Sequence, residues 1–164
     1  MTTEAEIETK FWKALGDDRV AMLGLAGIDE GQSQPMSAQL LEEHQEHGGP
    51  IWFFTSKDTD LARTLGQGHA AQLHFSSKGH DLFAAVHGEL TPVADRAVVD
   101  RLWNRFIAAW FEGKDDPKLL LLRFDADHAQ IWLSENSAMA GMRLLLGRDP
   151  KKDYQGKVAD VDLR

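Results

Sequence analysis

The chain has 164 residues, of which 43% are hydrophobic, enough for one domain with a proper core and too many for a disordered chain. A formal charge of −8 with no basic block disfavours nucleic acid, whose phosphates select clustered Lys and Arg. Cysteine is absent, which excludes disulfides, zinc–thiolate sites and a thiol nucleophile; no apolar run reaches the ~20 residues of a membrane span, and Met1-Thr2-Thr3-Glu4 has no apolar signal core, so the expectation is a cytoplasmic protein without a membrane partner.

Thr3 and Glu6 fit a capping box, and Ile7, Phe11, Trp12 and Leu15 mark one face of an N-terminal helix over about 3–15. Gly16-Asp17-Asp18 ends it. Arg19 to Gly27 reads as a first strand, Asp29 to Ser33 as a polar turn and Pro35 to Leu41 as a second strand, with Met36, Ala38 and Leu40 on one side. After a hydrophilic turn at His44 to Gly49 comes the stretch that organises the chain, Pro50 to Leu65. It begins with the apolar, aromatic run Ile51-Trp52-Phe53-Phe54, breaks into Thr55-Ser56-Lys57-Asp58-Thr59-Asp60, and resumes with Leu61 and Leu65 at helical spacing before Gly66. This predicts a buried strand, a polar turn and a short helix. Such a turn gathers backbone N–H groups, hydroxyls and a cation where a phosphate could sit. The alternative is a plain helix cap formed by Asp58 or Thr59.

Ala70 to Ser76 and Asp81 to Leu90 read as a hairpin through Ser77-Lys78-Gly79-His80, with Gly88 marking a bulge or a close backbone approach. Asp95 is the N-cap expected for one long helix, with Val98, Leu102, Phe106 and Trp110 on a common face. Glu112 to Pro117 ends it. Leu119 to Phe124 and Ala129 to Leu133 are apolar runs separated by a turn. Ser137 is the cap expected for a last helix over about 137–146, followed by a polar tail. The regular βαβ alternation of a dinucleotide-binding fold is missing, as are a GxGxxG and a Walker loop. The pattern fits a mainly β single domain: a small antiparallel barrel over about 19–134 with flanking helices.

Four pieces taken together carry a family resemblance: Pro35-Met36-Ser37-Ala38-Gln39; Ile51 to Thr59; Trp110 to Pro117 with Leu119 to Arg123; and Ile131-Trp132. The chain resembles the general-stress-protein branch of the pyridoxamine 5'-phosphate oxidase-like flavin-binding split barrels. The resemblance implies a six-stranded Greek-key split barrel. It also implies a homodimer holding flavin mononucleotide (FMN), or the larger flavin adenine dinucleotide (FAD), in a cleft between subunits. Carried over by position, Phe54, Thr55, Ser56, Lys57 and Thr59 match the phosphate and ring-edge positions. Met36, Ser37 and Ala38 match the strand along the ring, and Trp132 matches an aromatic near the cleft, either its own or the partner's. Two positions depart from the family pattern: Gln34 stands where members often carry Arg, and Leu61 where they often carry Lys, leaving Lys57 and Arg63 as the nearest cationic substitutes. Leu133-Ser134-Glu135 follows Trp132 in place of the basic substrate-binding residues of the oxidases proper, which speaks against pyridoxamine-phosphate oxidase activity.

No acid, base or nucleophile stands out as catalytic. The histidines are read as solvated or hydrogen-bonded rather than as metal ligands. Ser76-Ser77 lacks a His–Asp partner. The Trp103–Trp110 face reads as core or dimer interface before it reads as a stacking surface. The expected function is therefore flavin binding in a general stress protein, with flavin-dependent oxidoreductase chemistry as one form. The alternatives are a module that sequesters flavin without turnover and a haem- or deazaflavin-binding relative.

Overall fold

The computed structural model describes residues 2–28, 33–134 and 158–164; the helix expected over 137–146 lies outside them. The chain opens with α1 (Glu4–Asp18), whose N-terminus carries the expected capping box: Glu6 N donates to Thr3 Oγ1 (3.2 Å) and Thr3 N to Glu6 Oε2 (2.8 Å). There follow β1 (Val20–Leu25), β2 (Gln34–Ser37), a 3₁₀ turn at Glu42–His44, β3 (Ile51–Ser56), α2 (Asp60–Leu65), β4 (His69–Ser76) and β5 (Leu82–Val93). The rest is α3 (Arg96–Leu102), α4 (Arg105–Ala108), β6 (Leu119–Leu133) and β7 (Val158–Asp162).

The strands form one antiparallel sheet in the order β2-β1-β4-β5-β6-β3, with β7 also on β6. β6 is the spine. Its Leu119–Phe124 half pairs with β3, its His128–Trp132 half pairs with β7, and β5 runs along its other edge. The sheet curls until β2 and β3 meet at a single bridge, where Gln39 N donates to Trp52 O (2.8 Å) and Trp52 N to Gln39 O (2.9 Å). This is a mainly antiparallel sheet with a few helices, consistent with a split barrel. It corrects the expectation in two respects: among the described residues there are seven strands rather than six, and the sheet does not close.

Two further readings change. The polar tail contains β7: in Val158-Ala159-Asp160-Val161-Asp162 only Val161 is fully buried, with Ala159 partly buried against the same core, so the strand is held by these side chains and the edge of β6. The turn expected between residues 124 and 129 is strand. Asp125, Ala126 and His128 stay paired with β5, and the ladder accommodates one extra residue, Asp127, opposite His87 and Gly88. Gly88 is thus both bulge and close approach, since a Cβ there would collide with the Asp125 carbonyl and stand 2.9 Å from Phe124 Cζ.

β3 shows why the organising stretch is apolar on both sides. Ile51 and Phe53 point into the barrel with Phe11, Trp12, Leu23, Phe124 and Ile131. Trp52 packs outside, against Leu41, Val99 and Leu121, and Phe54 lies edge-on to Trp103 at 6.2 Å. Strand alternation therefore feeds two clusters from one segment.

The long helix after Asp95 is broken. Asp95 caps α3 as expected, its Oδ1 accepting from Val98 N (3.2 Å). But Trp103 is extended (φ −60°, ψ 129°), and Asn104 Oδ1 accepts from Phe106 N (2.9 Å) and Ile107 N (3.0 Å), starting α4 in a new direction. An Asn that bonds its own downstream backbone competes with helix propagation. Phe106 and Trp110 consequently leave the Val98–Leu102 face and stand 68% and 84% exposed.

Candidate functional site at the barrel seam

Strand alternation defines what the open seam offers. Gln39 and Trp52 turn their backbone groups toward each other at the bridge. Two residues away, Ser37 on β2 and Phe54 on β3 turn theirs to the same side, yet they do not pair, because the strands have parted. A cavity of about 820 Å³ fills the gap. β2 contributes Pro35, Met36 and Ser37. β3 and the turn after it contribute Phe54, Thr55, Ser56 and Thr59. The α4 region closes the far side with Asn104, Phe106, Ile107, Trp110 and Phe111, and Asp18, Arg19 and Val20 form the rim at the end of α1.

The hydroxyl turn is built by its own bonds. Thr59 caps α2: its Oγ1 accepts from Ala62 N (3.2 Å) and donates to Ser56 O (3.0 Å). Ser56 Oγ accepts from Asp58 N (3.3 Å). Thr55 is different. It is 6% exposed, and its hydroxyl has only Thr59 Oγ1 at 3.5 Å as a neighbour. The cap reading thus holds for Thr59, while Thr55 keeps hydrogen-bonding capacity on the cavity wall.

The structure brings Met36, Ser37, Phe54, Thr55, Ser56 and Thr59 together around this one cavity. Ala38 is buried beside it, with its N–H donating to Arg19 O (2.7 Å). Lys57 and Arg63 stand outside the lining. Lys57 is an exposed turn residue whose N–H donates to Lys118 O, and Arg63 lies 3.8 Å from Asp60. Trp132 lies elsewhere, on the outer face of the sheet in a groove with Val20, Met22, His74 and Phe83. Sequence reasoning missed Arg19, Asn104 and Phe106 as cavity residues. Asn104 carried a signal, an N-capping residue within an otherwise helical pattern.

A second groove, between α1 and the Ser77–Asp81 turn, is rich in charge, with several of its groups engaged with one another. Lys13 pairs with Asp17 at 2.9 Å, Asp18 Oδ2 accepts from Lys78 N (2.7 Å), and Ser77 is bonded to Asp81 and to Leu82 N. It lacks the aromatic lining of the seam cavity, and the seam cavity is the candidate site.

Comparison with known proteins agrees with this fold. The pyridoxamine 5'-phosphate oxidase-like family profile matches residues 6–148. A general stress family protein of Xanthomonas campestris pv. campestris is 59% identical, with a TM-score of 0.75 over 84% of this chain and 93% of its own. The general stress FMN/FAD binding protein of Xanthomonas citri is also 59% identical, with a TM-score of 0.73 over 80% and 92%. A general stress protein 26 of Jannaschia sp. CCS1 is 32% identical, with a TM-score of 0.82 over 98% and 99%. Among curated proteins, general stress protein 26 of Bacillus subtilis is 25% identical over 131 residues, 78% of this chain and 89% of its own. With a family match running from α1 past the end of β6 and relatives of this likeness, the chain belongs to the pyridoxamine 5'-phosphate oxidase-like family as a general stress protein.

Proposed function

We propose that this protein binds FMN in the seam cavity, as a homodimer whose partner completes the cleft. The observation that carries the reading is the chemistry of the cavity wall. Phe54, Ile107, Phe106 and Trp110 supply apolar surface for a flat ring system, Ser37 and Phe54 present unpaired backbone groups along the seam, and Thr55 supplies a buried hydroxyl. Its volume falls in the usual range for small-molecule sites, roughly 300–1,000 Å³. The description of the Xanthomonas citri relative as an FMN/FAD binding protein supports the same ligand class.

The dimer rests on exposed apolar surface. Val20, Met22, Phe83, Phe106 and Trp110 are the large hydrophobic residues left exposed among the described residues. All five line either the seam cavity or the adjoining sheet groove, and Val20 belongs to both. A continuous apolar surface of this kind marks an interface.

Bound FMN would supply the redox chemistry itself. This chain's residues would hold the ring and the phosphate and, with a partner in place, exclude water. A second reading, flavin binding without turnover, is favoured by one observation: Asp18 is the only carboxylate, and no His, Lys or Tyr stands beside it, among the described lining residues, and its Oδ2 already accepts from Lys78 N. Titration of the purified protein with FMN and riboflavin, followed by flavin fluorescence and absorption near ~450 nm, tests the proposal. Saturable binding of FMN is expected. A protein that binds neither flavin, or that carries a sharp Soret band instead, would overturn it.

A further inference from the structure

We propose that Arg19 makes the seam cavity selective for a phosphorylated ligand, by pairing its guanidinium with the phosphate. The identity of the ligand as FMN rests on the function proposed above; the role of Arg19 as an anion-binding residue stands on separate observations.

The first observation is a charge inventory. Asp18 and Arg19 are the only charged side chains among the described residues that line the cavity. Asp18 is engaged, since its Oδ2 accepts from Lys78 N (2.7 Å) across the neighbouring groove. Arg19 has only Nε donating to Gly16 O (3.3 Å), and among the described residues its guanidinium makes no ion pair. A guanidinium presents five N–H donors in a fork that matches phosphate, so most of its donor capacity remains available.

The second observation is the backbone. Arg19 ends α1 with φ 64° and ψ −34°, a conformation that L side chains rarely adopt and that Gly or Asn would take with less strain. It is pinned from both sides: Arg19 N donates to Leu15 O (2.9 Å), and Arg19 O accepts from Ala38 N (2.7 Å). The junction needs a residue at positive φ, and the turn chemistry alone would favour Gly. What Arg adds over Gly is a long cation on the cavity rim, beside the Val20–Ser37 pair that begins the β1–β2 ladder. Strain that persists at a cavity wall points to function.

The experiment compares R19G, R19Q and R19K with the parent protein, using FMN, riboflavin and inorganic pyrophosphate as probes. R19G removes the charge and relieves the backbone, so its apo Tm should equal or exceed that of the parent, whereas R19Q keeps the strain and loses the charge. Both are expected to bind FMN about 10- to 150-fold more weakly, the range for losing a charged hydrogen-bonding partner, and to bind riboflavin within about twofold of the parent. R19K should fall between. If R19G and R19Q keep the parent's preference for FMN over riboflavin, or lose both flavins alike, the proposal is wrong even though the cavity binds flavin. If the parent binds neither flavin, the functional reading fails on its own. Arg19 then remains an anion-binding residue only if pyrophosphate raises the Tm of the parent and not that of R19Q; no such shift overturns the role as well.

Discussion

The hydroxyl turn after β3 can be split into a residue that holds the fold and a residue that faces the ligand, and two isosteric substitutions separate them. Thr59→Val removes an oxygen that caps Ala62 N and donates to Ser56 O. Loss of such a cap costs about 1 kcal/mol, and for a chain of this size that lowers Tm by about 2–4 °C. Thr55→Val removes an oxygen whose only protein neighbour is 3.5 Å away, at the limit of a hydrogen bond. The apo protein should therefore hold its Tm within about 1 °C. With FMN bound the order reverses. A Thr55 hydroxyl donating to a phosphate oxygen is worth about 1.5–3 kcal/mol, so Thr55→Val should weaken FMN by about 10- to 150-fold while leaving riboflavin unchanged. Scanning fluorimetry of the apo proteins and fluorescence titration with both flavins make the comparison. If Thr55→Val keeps the parent's FMN affinity, or if it loses FMN and riboflavin equally, the turn is a helix cap and the phosphate reading of this stretch fails.

Gly88→Ala should destabilise the fold by about 1–3 kcal/mol or more in urea titration, because the new methyl meets the Asp125 carbonyl and the Ala126 backbone, which cannot swing aside; a variant with the parent's midpoint would show that the bulge relaxes freely. The parent should scatter light as about twice the 18.3 kDa chain mass, and F106S/W110S should shift toward monomer and lose FMN together with the dimer; a parent that is monomeric at micromolar concentration refutes the shared cleft. His87 stacks on His128 at 4.7 Å, and burial, then His128 and His74, hold its pKa below the usual 6.5. The unfolded chain therefore binds that proton more tightly than the folded one, and stability present above about pH 6.5 is lost as pH falls through the folded value; His87→Gln should flatten the decline of Tm between about pH 7 and pH 5, and an unchanged slope refutes the assignment.

Local chemistry was legible where one residue type has one physical use. Thr3 and Glu6 announced the α1 cap, Leu61 and Leu65 announced α2, and Gly88 announced the bulge, because each feature depends on neighbours in the chain. What the sequence hid depends on residues far away. Asp125 to His128 look like a turn until β5 is seen to pair with them, and Val158 to Asp162 look like a solvated tail until Val161 is seen buried beside β6. Tertiary pairing overrode the local signal of the interspersed Asp residues in both places. The site divides the same way. Met36, Ser37 and the Thr55–Thr59 turn could be placed because strand and turn carry them there. Arg19 could not, because a cation just after a helix reads as an ordinary solvated end.

The same geometry explains why the site lies at the seam. A rolled sheet that stops short of closure leaves two edges, and an edge of free N–H and C=O groups is an invitation to further pairing. Here the liability is confined. β2 is four residues long and contains Pro35, which has no N–H to offer, and the Gln39–Trp52 bridge ties the edges at one end. What remains open is the short reach between Ser37 and Phe54, flanked by Arg19 at the α1–β1 junction and by Thr55 and Ser56 at the end of β3. A flat ligand with donors and acceptors along its rim can satisfy backbone groups that a closing strand would otherwise take, and Arg19 is the one cation among the described lining residues. The two positions where relatives often carry that cation cannot serve in this chain: Leu61 is fully buried in the core, and the Gln34 amide folds onto Met36 Sδ at 3.1 Å. The cation that does border the seam is Arg19 on the α1–β1 junction, held at positive φ with its carbonyl accepting from the Ala38 N–H.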